Sequence, residues 1–299
     1  MKLKKIIDLI KRDFFWIHYP FTKIFHDFFV KRKLIKLFYK SDIKKILYNF
    51  SDKNKELKFE SYVSSKQDQK FFLSKKNFLK KIDPPQILDL ARIYSLVKNE
   101  KPFTILEFGV GYSTLVMAQA LHENSKRFKN NKKFINKKNL RNSKMFKIYS
   151  VDDSKLWIKK VKENIPNHLK KYISITHSEV YTTTMNNEIC HLYKKIPNIN
   201  PEFIYLDAPN LFVQKGNVNG ISFFCPERTP ISADLCLLES TLLPGTKILV
   251  DGRVNNVRFL QRNLKRKYHF KWDRYSDVTL ITLSEKRLGK LNNLGFEYY

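Results

Sequence analysis

Short apolar runs alternate with amphipathic segments along most of the chain beyond residue 100. Five runs have the aliphatic and aromatic composition of buried parallel strands: 103–108, 146–151, 172–176, 202–207 and 247–251. Three segments between or after them carry apolar residues at helical spacing: 115–121, 156–165 and 254–267. Two further runs, 269–275 and 278–283, suit a closing strand pair. The pattern predicts an α/β domain with a mostly parallel sheet.

Two glycines separate the first strand from the helix after it. Gly109 and Gly111 follow the apolar run, and Ser113 or Thr114 is the expected helix cap. Such a turn brings backbone N–H groups and the positive helix end to the sheet edge, which is typical of nucleotide sites. A dinucleotide fingerprint needs a small residue where Thr114 stands, and Glu107 before the loop would repel a pyrophosphate but favour a cationic sulfonium.

Carboxylates stand at the ends of three other predicted strands. Asp152 and Asp153 end the second strand, Asp207 ends the fourth and Asp251 ends the fifth. The carboxyl ends of parallel strands meet at one edge, which is where open α/β sheets bind ligands. An acid after the second strand is placed to accept two ribose hydroxyls. The sequence therefore predicts one ligand site along this edge.

With these features, residues 85–283 resemble the class I S-adenosylmethionine-dependent methyltransferases, most closely the metal-dependent, catechol O-methyltransferase-like branch. The motifs that carry the resemblance are 106–114, 149–152, 205–207, 242–245 and 248–251. The resemblance implies a Rossmann-like, seven-stranded sheet in the order 3-2-1-4-5-7-6. It implies S-adenosyl-L-methionine as cofactor and O-methylation of a small-molecule, sugar or glycolipid-type acceptor.

The resemblance also assigns roles to individual residues. Those expected to bind the cofactor are Glu107, Gly109, Gly111, Tyr112, Ser113, Asp152, Asp153 and Ser178, the last near the adenine. Asp207 and Asp251 are the expected catalytic pair, which orients or deprotonates the acceptor, and the resemblance also implies them as ligands of Mg²⁺. The chain departs from the branch in having Gly252 where an Asn would complete the metal site. It also lacks the lysine that follows the strand-four acid.

The protein is strongly basic, with 57 Lys and Arg against 28 Asp and Glu and a formal charge of +29. An anionic partner or acceptor is therefore a fair expectation. Three cysteines without metal-type spacing argue against a disulfide scaffold and for a reducing compartment, so we expect a cytoplasmic protein.

Residues 1–82 are predicted to form a basic, aromatic-rich helical extension before the α/β domain at 83–299. Their apolar residues recur at helical spacing, which suits helices packed on the core or on a second subunit. The alternative is a basic amphipathic anchor at 1–40 that lies peripherally on an anionic membrane face. Charges such as Asp8 and Asp13 interrupt any signal-peptide core, and no run approaches the about 18 residues of a spanning helix.

Two polar segments interrupt the domain. We expect 123–147 to be a mobile basic insertion, which could contact nucleic acid, although the absence of a known RNA module makes that role less favoured. The Gly- and Pro-punctuated stretch 208–230 is expected to be a lid over the ligand edge. Arg228 in it, and Arg253 after strand five, could hold an anionic group, though a surface ion pair is the more common role. His168, His177 and His191 are candidate bases by residue type only.

Two other functions remain open from the sequence. A non-catalytic, methyltransferase-like scaffold bound to a membrane or partner predicts no cofactor binding. A nicotinamide (NAD)-dependent oxidoreductase predicts hydride transfer, against which Thr114 and Glu107 count. The sequence does not determine the oligomeric state.

Overall fold

The computed structural model describes residues 43, 87–130, 141–142, 144–209, 214–225 and 227–298. The predicted extension 1–82, apart from Ile43, and residues 131–140 of the predicted insertion lie outside the described residues. Their roles therefore stay predictions. No helix within the described ranges is long and apolar enough to cross a membrane.

Strands account for much of the described chain. They are β1 (Thr104–Phe108), β2 (Lys147–Asp152), β3 (Ile173–His177), β4 (Val180–Met185), β5 (Glu188–Tyr193), β6 (Phe203–Leu206), β7 (Lys247–Asp251), β8 (Tyr268–Asp273) and β9 (Val278–Leu283). Seven of them form one sheet in the order β3-β2-β1-β6-β7-β9-β8, and β4 and β5 form a separate hairpin. Numbered among themselves, the seven strands have the order 3-2-1-4-5-7-6, so the predicted Rossmann-like methyltransferase fold is confirmed.

The first five strands of this sheet are parallel, and β9 runs antiparallel between β7 and β8. Every residue of β1 is buried, since the strand lies in the middle of the sheet with helices or the hairpin on each face. A continuous apolar run is what such a position requires. The parallel strands bring the ends of β1, β2, β6 and β7 to the same edge.

The longer helices are α1 (Ile87–Glu100), α2 (Tyr112–Asn130), α3 (Lys155–Asn164), α4 (Asp234–Leu238) and α5 (Val254–Asn263). Two hydrophobic cores result. One joins α1 and α2 to residues such as Phe103 and Ile105. The other joins α5 and the β4–β5 hairpin to residues such as Leu106 and Phe108. Successive β1 side chains thus enter opposite cores, as the alternation of a strand demands.

Helix α2 runs further than predicted, which changes the account of the segment 123–147. Its last turns, through Asn130, are helical although their sequence is polar. Glu123 explains why, because its Oε2 accepts hydrogen bonds from Tyr94 at 2.6 Å and Lys98 at 2.8 Å, both on α1. Phe128 adds an edge-on contact with Phe103 at 5.5 Å. The part 123–130 is therefore an anchored helix end and not a mobile excursion.

The β4–β5 hairpin was not predicted from the sequence. Its strands are joined by Asn186 and Asn187, which have φ of 48° and 63°. Two consecutive residues with positive φ are the signature of a two-residue hairpin turn, and Asn tolerates that conformation well. The turn at 186–187 and the strand-favouring threonines at 182–184 were the available signals.

Candidate cofactor and acceptor site

The glycine loop joins β1 to α2 at the carboxyl edge of the sheet. Gly109 donates its N–H to Val151 O at 2.9 Å and has φ of 103°, a conformation that other residues rarely adopt. A Cβ at Gly109 would lie 3.2 Å from Cβ of Ala208, so the backbone passes very close to the end of β6. The loop therefore requires glycine at this position for both its turn and its packing.

Glu107 lies beneath the loop and is fully buried. Its carboxylate accepts hydrogen bonds from the hydroxyls of Ser113, Thr114 and Ser150, each at 2.6 Å. Desolvation outweighs these bonds and raises the pKa of Glu107 from 4.5 to about 7. The structure thus places Glu107 as the residue that ties the loop to α2 and β2. A direct contact with the cofactor stays a prediction.

The N–H of Gly111 is also hydrogen-bonded within the loop. It donates to Thr114 Oγ1 at 2.9 Å, and Thr114 in turn donates to Glu107. In a dinucleotide site such an N–H would instead point at the pyrophosphate. On its other side Gly111 is close to Trp157, whose ring would lie 3.8 Å from a Cβ at this glycine. The indole N–H of Trp157 donates to Val110 O, so α3 braces the loop.

Asp152, at the end of β2, is buried and faces the same loop. Its Oδ2 accepts the N–H of Val110 at 3.0 Å, and its Oδ1 accepts the N–H of Ser154 at 2.8 Å. Burial raises the pKa of Asp152 to about 8 and that of Asp153 to about 6. Asp153 is less buried than Asp152. The two predicted ribose acids therefore lie next to the glycine loop.

Ser178 lies just beyond β3, where the hairpin begins. Its N–H donates to Asp152 O at 2.9 Å, and its Oγ accepts the N–H of Lys195 at 2.8 Å. Ser178 is 4% exposed, and its hydroxyl stabilises the base of the hairpin. The predicted contact of Ser178 with adenine stays a prediction.

The predicted catalytic acids lie side by side at the ends of β6 and β7. The phenol of Tyr205 joins them, because it donates to Asp251 Oδ2 at 2.7 Å and lies 3.5 Å from Asp207 Oδ2. Desolvation and the neighbouring Asp251 raise the pKa of Asp207, and 52% of its side chain is open to solvent. An exposed carboxylate beside a fixed phenol can meet an acceptor hydroxyl.

Electrostatic coupling shows that the predicted acids form one group. Asp207 raises the pKa of Glu107, Glu107 raises that of Asp152, and Asp251 raises that of Asp207. Asp89 of α1 adds to the same field at Asp207 and Asp251. The strand-end acids therefore converge as the sequence predicted, and α1 lies near them.

The divalent ion implied by the resemblance would have to bind among the residues around Asp207 and Asp251. Arg253 stands beside Asp207, with its Nε 3.9 Å from Oδ1, and Tyr205 occupies one oxygen of Asp251. Gly252 adds no side-chain ligand. Within the described ranges no group of three or more His, Cys, Asp or Glu could hold a metal. A guanidinium next to the acid pair would repel Mg²⁺, so these residues do not fit the ion.

Tyr193 is a site residue that sequence reasoning missed, because its strand, β5, was missed. Its ring packs on Phe108 with centroids 5.8 Å apart, and its hydroxyl is buried without a hydrogen-bond partner. Desolvation raises the pKa of this phenol, and Asp152 and Asp153 raise it further, which places it near the two predicted ribose acids. Only the hairpin turn could have pointed to it.

The candidate histidines have separate surroundings. His177 Nε2 lies 3.0 Å from Asp153 O, and His168 Nε2 lies 3.2 Å from Gln119 Oε1. His191 is fully buried against Phe223, and neither of its ring nitrogens has a hydrogen-bond partner. The structure therefore does not gather them into one catalytic group.

The described residues of the predicted lid are 208–209, 214–225 and 227–230, and Lys215 joins the second of these segments to the hairpin. Lys215 pairs with Tyr181 of β4 in a parallel bridge, and its ammonium forms an ion pair with Glu179. Arg228 donates to Ser222 O at 3.3 Å and is exposed. The segment is thus held at one side of the site by β4. Its role as a lid stays a prediction.

No protein-family model and no curated protein matches the sequence. Among solved structures, SAH-bound Podospora anserina methyltransferase PaMTH1 aligns over 73% of this chain and 87% of its own, with a TM-score of 0.41 and 13% identity. The Bacillus cereus O-methyltransferase in complex with SAH aligns over 81% and 100%, with a TM-score of 0.38 and 11% identity. A Geobacter sulfurreducens methyltransferase aligns over 76% and 92%, with a TM-score of 0.39 and 11% identity. Likenesses this distant carry no argument about activity.

Proposed function

We propose that the protein is an S-adenosylmethionine-dependent methyltransferase that methylates a hydroxyl of a small-molecule, sugar or glycolipid-type acceptor. The observation that carries the proposal is the junction of β1, the glycine loop and β2. There Asp152 accepts the N–H of Val110, and the less buried Asp153 follows it in the chain. Carboxylates at this point suit a ribose diol, and the open edge above the glycines suits the rest of a nucleoside.

The surroundings of the loop favour a sulfonium over a pyrophosphate. Glu107 lies directly beneath the loop, and Thr114 occupies the N–H of Gly111. A pyrophosphate would oppose ionisation of Glu107, Asp152 and Asp207, whereas a positively charged sulfonium would favour their ionised forms and be stabilised by them. This is why the oxidoreductase alternative is less favoured.

Binding of the acceptor is assigned to the pair Asp207 and Asp251. When bound, S-adenosylmethionine supplies an activated methyl group; the acceptor oxygen bonds to that carbon as the carbon–sulfur bond breaks and the sulfur keeps the electron pair. The hydroxyl proton passes to Asp207, whose side chain is half open and whose raised pKa suits proton acceptance. The protein otherwise aligns the two reactants.

The test is isothermal titration calorimetry of the full chain with S-adenosylmethionine and S-adenosylhomocysteine, with NAD as the comparison ligand. We expect both sulfur ligands to bind in the range of about 1–100 μM and NAD to bind at least about tenfold more weakly. Binding of NAD alone would favour the oxidoreductase. Binding of none of the three would favour the non-catalytic scaffold.

The proposed compartment is the cytoplasm. Peripheral membrane contact through residues 1–40 stays a proposal, supported only by their basic amphipathic pattern. Liposome binding that survives deletion of these residues would contradict it.

A further inference from the structure

Arg253 is placed where β7 leads into α5, against the main chain that follows β6. Its Nη2 donates to the carbonyl oxygens of Asp207 at 2.9 Å and Pro209 at 3.0 Å. Two bonds from one nitrogen fix the guanidinium to the segment that carries Asp207. Only 17% of the side chain is exposed, so its position is set by the protein and not by solvent.

The remaining part of the guanidinium is close to the carboxylate of Asp207. Nε lies 3.9 Å from Asp207 Oδ1, which is within ion-pair range but too long for a hydrogen bond. That nitrogen is buried and has no hydrogen-bond partner. A guanidinium charge therefore stands beside Asp207.

Tyr205 contacts both acids of the pair. Its phenol is 3% exposed and donates to Asp251 Oδ2 at 2.7 Å. It also lies 3.5 Å from Asp207 Oδ2. A divalent ion shared by Asp207 and Asp251 would have to displace this donor and approach a guanidinium. Both requirements oppose binding of the ion.

We propose that Arg253 supplies positive charge beside Asp207 and excludes divalent cations from the acceptor site, so that methyl transfer at this site needs no metal. Arg253 is in this account a positioning residue that acts through Asp207. The statement about methyl transfer rests on the proposed function. The exclusion of cations is a property of the free protein and is measured without cofactor or acceptor.

The experiment measures Mn²⁺ binding to the full chain by calorimetry and electron paramagnetic resonance, with Mg²⁺ as competitor. We expect weak binding to the wild type. Arg253→Gln keeps a donor for the Asp207 carbonyl but removes the charge, and should bind Mn²⁺ at least about tenfold more tightly. Arg253→Lys keeps a positive charge and should resemble the wild type. Arg253→Gln combined with Asp207→Asn should lose the gain.

Arg258→Gln is the matched control, since it removes the same charge from an exposed position on α5. It should leave Mn²⁺ binding unchanged. Arg253→Met is a second charge-removing variant, and circular dichroism checks that each variant is folded. Tight binding of Mn²⁺ or Mg²⁺ by the wild type that Asp207→Asn abolishes would overturn the proposal. No gain in folded Arg253→Gln and Arg253→Met would overturn it too.

Titration of the same samples with S-adenosylmethionine separates the two proposals. A wild type that binds neither Mn²⁺ nor S-adenosylmethionine, while Arg253→Gln gains Mn²⁺, refutes the proposed function and supports the exclusion of cations. A wild type that binds S-adenosylmethionine and also binds Mn²⁺ at the acid pair supports the function and refutes the exclusion.

Discussion

Asp152→Asn is expected to lower the affinity for S-adenosylmethionine about 10- to 100-fold, the range for leaving a buried hydrogen-bond donor without an acceptor. The asparagine amide has one oxygen, whereas Asp152 uses both of its oxygens, for Val110 N–H and for Ser154 N–H. The substitution therefore weakens the ribose contact and loosens the glycine loop together. Calorimetric titration with S-adenosylmethionine and S-adenosylhomocysteine measures the loss.

The control for this prediction is Glu163→Gln, the same acid-to-amide change on the exposed side of α3. It should leave the affinity unchanged. Thermal unfolding of both variants shows whether Asp152→Asn remains folded at the temperature of the titration. A folded Asp152→Asn variant that binds as tightly as the wild type would refute the assignment of this acid to the ribose.

Glu107→Gln is expected to change how the stability of the protein depends on pH. The pKa of Glu107 is raised from 4.5 to about 7 by burial, so the folded state holds its proton to a higher pH than the unfolded state. The free energy of unfolding then falls as the pH rises from about 4.5 to about 7, because the folded state binds more protons across that window. A shift of this size corresponds to about 3 kcal/mol.

Glutamine at this position does not titrate, and the three hydroxyls around it can rotate to accept its N–H groups. The advantage of the wild type over Glu107→Gln should therefore shrink by about 3 kcal/mol between about pH 4.5 and pH 8. Urea unfolding of both proteins across this range measures the difference. A difference that stays constant with pH would show that Glu107 does not titrate in this window.

The strands and the glycine loop could be predicted from the sequence because their signals are local. The run 103–108 is apolar apart from Thr104 and Glu107, which is typical of a strand in the middle of a parallel sheet, and Gly109 and Gly111 follow it at once. The convergence of Asp152, Asp207 and Asp251 could also be predicted, since parallel strands bring their carboxyl ends to one edge.

Other features depend on contacts between distant segments, so no local pattern revealed them. The last turns of α2 are stabilised by bonds from Glu123 to α1, which their polar sequence does not show. The position of Tyr193 depends on the β4–β5 hairpin, whose first strand, β4, is polar. The bonds of Arg253 to the carbonyls after β6 join residues 44 and 46 positions apart. Sequence spacing cannot show that a guanidinium stands beside the acid pair.

A crystal structure of the full chain with S-adenosylhomocysteine tests the central claim most directly. The account predicts ribose hydroxyls within about 3 Å of a carboxylate oxygen of Asp152 or Asp153, with the homocysteine part above Gly109 and Gly111. A ligand bound away from the ends of β1 and β2, with no contact to either acid, would contradict it.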